Sequence, residues 1–87
     1  MKSLELAGYI KRGKNRHKIF MALDKPRMPS ELVIKIYGKS SNTYFNIVSR
    51  ALTELEQKNL VECINSKERT GRIYKLTKKG KETIKFL

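Results

Sequence analysis

The chain has 87 residues, 39% of them apolar, and sets 20 Lys and Arg against 8 Asp and Glu, for a formal charge of +12 and a pI near 10.1. A chain this short makes one domain over 1–87 and buries only roughly 60–65% of its unfolded surface, too little to spare a deep catalytic pocket. A charge of about 2–8 keeps a small domain soluble, so the excess points to a polyanionic partner, nucleic acid above all.

Leu4, Leu6, Tyr9 and Ile10 form a short apolar segment whose form the pattern leaves open. After Gly13, Arg16, Ile19, Phe20 and Leu23 recur at helical spacing. Pro26 and Pro29 end that helix, and Pro29 suits the first position of the next, with Glu31 in its first turn. Leu32, Val33, Ile36 and Tyr37 form its apolar stripe, and Gly38 is placed to stop it. Ser40, Ser41 and Asn42 offer caps for a third helix running to about Lys58, whose apolar side carries Tyr44, Val48, Ala51, Leu52 and Leu55. Phe45 and Ile47 flank that side. Asn59 suits a left-handed cap. The period then changes: Leu60 to Ile64 and Ile73 to Leu76 read as two strands around a polar turn, 65–72. Thr77 caps a last helix in which Ile84 and Leu87 share a face. The expected fold class is α+β, mostly helical: a winged helix-turn-helix with a three-helix core, a two-stranded β-hairpin wing and a C-terminal helix.

Opposite its apolar stripe the third helix carries Asn42, Thr43, Asn46, Arg50 and Thr53, with Ser49 on the shoulder. Amides, hydroxyls and a guanidinium are the groups that pair with base edges in the major groove, so these six are the candidate base contacts. An ordinary solvated helix face would carry more Lys and Glu, and Glu54 and Glu56 fall only in the second half. The hairpin turn adds Lys67, Arg69, Thr70 and Arg72, and the preceding turn adds Lys39 and Ser40, as candidate contacts to the DNA backbone or minor groove. Glu68 blunts the turn's charge. Lys11, Arg12, Lys14, Arg16, Lys18 and Lys35 divide between phosphate and solvent, and Arg16 has Glu54 or Glu56 as an alternative partner.

No catalytic grouping, cofactor loop or metal site can be assembled. His17 and Cys63 stand alone of their kinds and far apart, where structural zinc needs several such residues closely spaced. Cys63, a half-buried strand residue by its position, has no partner for an intramolecular disulfide. The segment MKSLELAGYI lacks an apolar run of signal length, and no stretch approaches the ~20 residues of a membrane span, so the expected location is the cytoplasm.

Four blocks, NRHKIFMAL, PSELVIKIYG, VSRALTELEQKNLVEC and GRIYKLTKKGKE, resemble in order the winged helix-turn-helix transcriptional regulators common in archaea, of the MarR-like and ArsR-like grouping. The resemblance spans about Tyr9 to Leu87. It implies that the helix bearing VSRAL lies in the major groove, that Ser49 and Arg50 face DNA, and that ERTGR is the wing. The chain departs from the family at two places: Asn59 stands where a glycine is typical before LVE, which a left-handed cap tolerates, and the spacing before Val48 is longer. Gly38 and Val48 lie ten positions apart where about six are usual, so either the recognition helix starts a turn earlier or the turn is a longer loop holding Ser40 to Thr43.

The expected function is therefore sequence-specific regulation on double-stranded DNA. A non-specific architectural DNA protein shares the charge. An RNA- or ribosome-associated winged helix would need exposed aromatics for stacking, whereas Tyr44, Phe45 and Tyr74 are expected to be buried. The apolar ends, Leu4, Leu6, Tyr9 and Ile10 with Ile84, Phe86 and Leu87, suggest a homodimer.

Overall fold

The computed structural model describes residues 3–87 and is α+β, mostly helical, with five helices and one antiparallel hairpin. Met1 and Lys2, part of the expected domain over 1–87, lie outside the described residues. The order is α1 (Ser3–Arg12), α2 (Lys14–Ala22), α3 (Pro29–Tyr37), α4 (Asn42–Gln57), β1 (Val61–Cys63), β2 (Tyr74–Leu76) and α5 (Lys78–Ile84).

The apolar N-terminal segment is helical. Leu6, Ala7 and Ile10 are its buried residues, and Lys11 and Arg12 occupy the last turn, where the helix dipole favours cations. Gly13 alone separates α1 from α2 and caps the latter in an extended conformation. Pro29 takes the first position of α3, and the Glu31 carboxylate accepts the Met28 N–H at 3.1 Å. Gly38 ends α3 at φ 76°, a left-handed conformation that costs glycine nothing. Ser41 then opens α4, its hydroxyl accepting the Tyr44 N–H at 3.1 Å. Residues 38–41 thus form a short connection, and the additional chain before Val48 belongs to α4 rather than to a longer loop. Asn59 turns the chain at φ 61°.

The strands are shorter than the apolar runs that announce them. Val61 faces Leu76 and Cys63 faces Tyr74, and beyond them the Ile64 N–H still reaches the Ile73 carbonyl at 2.9 Å. Arg27 exchanges both backbone hydrogen bonds with Tyr74 at 2.9 Å, which ties the α2–α3 connection to the edge of β2.

α2 and α3 pack against α4. Ile19 and Phe20 of α2, Leu32 of α3 and Val48 and Leu55 of α4 are fully buried at their junction. Each large side chain there contributes roughly 1.5–3 kcal/mol over leaving it in water. α1 and α5 pack on each other and close one end. Leu6 and Ile10 are buried in that same core, with Ile84 and Leu87 partly buried against it. The ends that were expected to meet a second copy are thus mostly covered within the chain, leaving Leu4 and Phe86 exposed. Among the described residues, no helix is long and apolar enough to cross a membrane.

Candidate nucleic-acid interface

α4 buries Val48, Ala51, Leu52 and Leu55. A rotation of about 100° per residue puts Asn42, Asn46, Arg50 and Thr53 on the opposite ridge, with Thr43 and Ser49 on its two shoulders. All but Ser49, which is half-buried, are exposed. Among the described residues, only Thr53 and Glu54 of α4 use their side chains in hydrogen bonds within the chain. Thr53 donates its hydroxyl to the Ser49 carbonyl at 3.0 Å, so it has acceptor capacity left but no proton to offer. Asn42, Thr43, Asn46 and Arg50 keep every donor and acceptor for another molecule.

A groove lies on each side of this ridge. One, of about 460 Å³, runs between α4 and the start of α2, past Lys14, Asn15, Thr43, Asn46 and Arg50. The other, of about 520 Å³, runs between α4 and the hairpin tip, past Phe45, Ser49, Thr53, Arg69 and Arg72. The ridge therefore stands between two concave strips with cations on their margins. Lys39 and Ser40 in the α3–α4 connection and Lys67, Arg69 and Thr70 at the hairpin tip are all exposed, and so is Glu68.

Two clusters hold α4 in place. At its start, Tyr37 and Tyr44 stack with centroids 4.3 Å apart and planes within 3°, while the Tyr37 hydroxyl donates to Asn15 Oδ1 at 2.8 Å. One stack thereby links α2, α3 and α4. Burial, with the Tyr44 hydroxyl adding to it, raises the Tyr37 pKa above its ordinary value. Toward the other end, Arg16 pairs with Glu54 at 3.1 Å, settling which glutamate it meets. The same guanidinium lies 3.9 Å from the Tyr9 ring centroid and donates through Nε to the Tyr9 carbonyl at 3.1 Å. The Tyr9 hydroxyl in turn donates to Glu54 at 3.4 Å. Burial raises the Tyr9 pKa; Arg16 opposes the shift and Glu54 adds to it.

The hairpin tip is organised by two side chains. Asn65 accepts the Ile73 N–H at 2.8 Å and donates to the Gly71 carbonyl at 3.0 Å; Cys63 Sγ, half-buried on β1, lies 3.5 Å from its Oδ1. Arg72 donates through Nε to the Glu68 carbonyl at 2.8 Å and through Nη2 to the Ser66 carbonyl at 3.4 Å. Its guanidinium, expected to reach for DNA, is turned onto its own loop. Arg69 lacks such bonds among the described residues and faces the groove.

The expectation that Phe45 is buried is corrected. Tyr74 is buried and Tyr44 half-buried, but Phe45 is 45% exposed. It lies at the edge of the apolar arc, where the hairpin tip leaves a groove rather than a lid. The parts played by Tyr9, Asn15 and Asn65 were also missed; of these only Asn65, a polar residue opening a turn, carries a local signal. No family model, curated protein or solved structure matches the chain.

Proposed function

We propose that this protein is a winged helix-turn-helix regulator that binds double-stranded DNA sequence-specifically, with α4 in the major groove and the hairpin tip on the adjoining backbone or minor groove. One observation carries the proposal: the ridge of Asn42, Asn46 and Arg50, exposed and uncommitted within the chain, between two grooves with cationic margins. A helix about 10–12 Å across fits a major groove about 12 Å wide. Amide and guanidinium side chains on its ridge match adenine and guanine edges, and the Lys and Arg beside it suit phosphates.

Selection of bound sequences from random duplex DNA tests this directly. A reproducible preferred site is expected, and Arg50→Ala is expected to weaken that site by about 1–3 kcal/mol while relaxing preference at one position. Salt-sensitive binding with no preferred site would instead support the architectural role. That alternative draws on Lys78, Lys79 and Lys81 of α5 and Lys85 at its C-cap, which add charge beyond what one reading helix needs. A homodimer joined through the exposed Leu4 and Phe86 would present two ridges to half-sites roughly 10 base pairs apart. Light scattering with and without the selected duplex tests it.

A further inference from the structure

Phe45 is the one large apolar side chain of α4 that stands more than a third exposed, and it lies in the first half of the helix, within the proposed reading surface. Helical rotation puts it about 40° from Ser49 and about 60° from Asn42, one turn away from each. It therefore borders the ridge just beyond the Ser49 shoulder, at the edge of the apolar arc. It opens into the groove shared with Arg69 and Arg72, whose lining also includes Met28, Pro29 and Tyr74. The Arg69 guanidinium on the far margin, without bonds to the chain among the described residues, favours an anionic occupant over an apolar peptide. Among the groups that a duplex presents in its major groove, the apolar one is the thymine methyl.

We propose that Phe45 is a specificity-determining residue, whose ring packs against the 5-methyl group of a thymine next to the bases met by Asn42 and Ser49. This rests on α4 reading duplex DNA. The phenyl ring cannot hydrogen-bond, so its contribution to specificity is contact with that methyl group and exclusion of water from it. Cytosine at the same place lacks the methyl, and so does uracil.

The test uses the full chain and the duplex recovered by selection, with each thymine of the site replaced in turn by deoxyuridine, which removes the methyl and leaves the pairing intact. For the unaltered protein, one position is expected to lose affinity about fourfold on losing its methyl, the worth of one buried carbon group. Phe45→Ala is expected to bind the thymine duplex about as weakly as the unaltered protein binds the deoxyuridine duplex, and to be indifferent to the replacement. Phe45→Leu keeps an apolar contact and is expected to retain part of the methyl preference. Circular dichroism melts of both variants show whether either has lost its fold, and the leucine variant carries the test if the alanine variant has. A preferred site whose thymines can all be replaced without loss overturns the assignment, as does an undiminished methyl preference in a folded Phe45→Ala. Absence of any preferred site overturns the reading by α4 itself, a different result from either.

Discussion

The proposed duplex binding should depend on salt, with a steepness set by where the cations stand. Lys14, Lys39, Arg50, Lys67 and Arg69 surround the α4 ridge and its two grooves, and none is paired with a carboxylate among the described residues. Arg16, Arg27 and Lys75 are so paired, and Arg72 is turned onto its own loop. If the four besides Arg50, which is assigned to a base, each meet one phosphate, log K falls with log salt at a slope of about −3.6. Between 50 and 200 mM salt that is a loss of roughly 150-fold per protomer. Fluorescence anisotropy of a labelled duplex over that range gives the slope. Lys39→Ala or Arg69→Ala should each reduce its magnitude by about 1, whereas Lys79→Ala and Lys81→Ala on α5 should leave it alone. A slope near zero refutes the electrostatic basis of binding. A slope that responds to the α5 lysines as much as to Lys39 and Arg69 refutes the assignment of the face.

Other outcomes follow from single contacts. Arg72→Ala should lower the salt slope less than Arg69→Ala does and should speed amide exchange at 66–71, because its guanidinium holds the Glu68 and Ser66 carbonyls. Ser41→Ala removes the cap of α4 and should cost about 1 kcal/mol in a chemical melt, with weaker duplex binding as the first turn frays. Gly80→Ala should destabilise by about 1–3 kcal/mol, since a methyl there would run into the Leu60 carbonyl oxygen and come 3.4 Å from Leu76 Cβ. Tyr37→Phe keeps the stack on Tyr44 but loses the bond to Asn15, for about 0.5–1.5 kcal/mol in the same melt.

Much of the chain's order was legible because its punctuation is local. Pro29, Gly38, Ser41, Asn59 and Thr77 each act through their own backbone and that of the next few residues, and each occupies the boundary its chemistry suggests. The ridge of α4 was legible for a similar reason: rotation about one axis sorts Asn46 and Arg50 from Val48 and Leu52. What could not be read depends on elements meeting from far along the chain. Tyr9, Arg16 and Glu54 come from three helices, and nothing near Tyr9 announces that its ring lies beneath a guanidinium. The direction of Arg72 depends on how tightly 65–72 closes, and the exposure of Phe45 on where that loop then stops. Helix α1 was ambiguous because four apolar residues at its spacing are too few to distinguish a short helix from an extended segment.

The separation of charge from hydrogen-bonding capacity is what favours selective binding over indiscriminate binding. A protein that only held DNA would gain most from lysines along the very surface that enters the groove. On α4 that ridge is neutral except at Arg50, whose planar fork has a geometric match in guanine that a lysine lacks. The nearby acids do not cancel it: Glu54 is taken up by Arg16, and Glu56 lies toward the C-terminal end of the helix. Arg50→Lys is therefore a sharper discriminator than removal of the charge. It preserves the cation and the salt slope while abolishing the two-point contact. If binding were purely electrostatic, Arg50→Lys would be silent on every duplex. If α4 reads bases, it should lose on the preferred site alone, by about 1–3 kcal/mol, with the scrambled duplex unchanged.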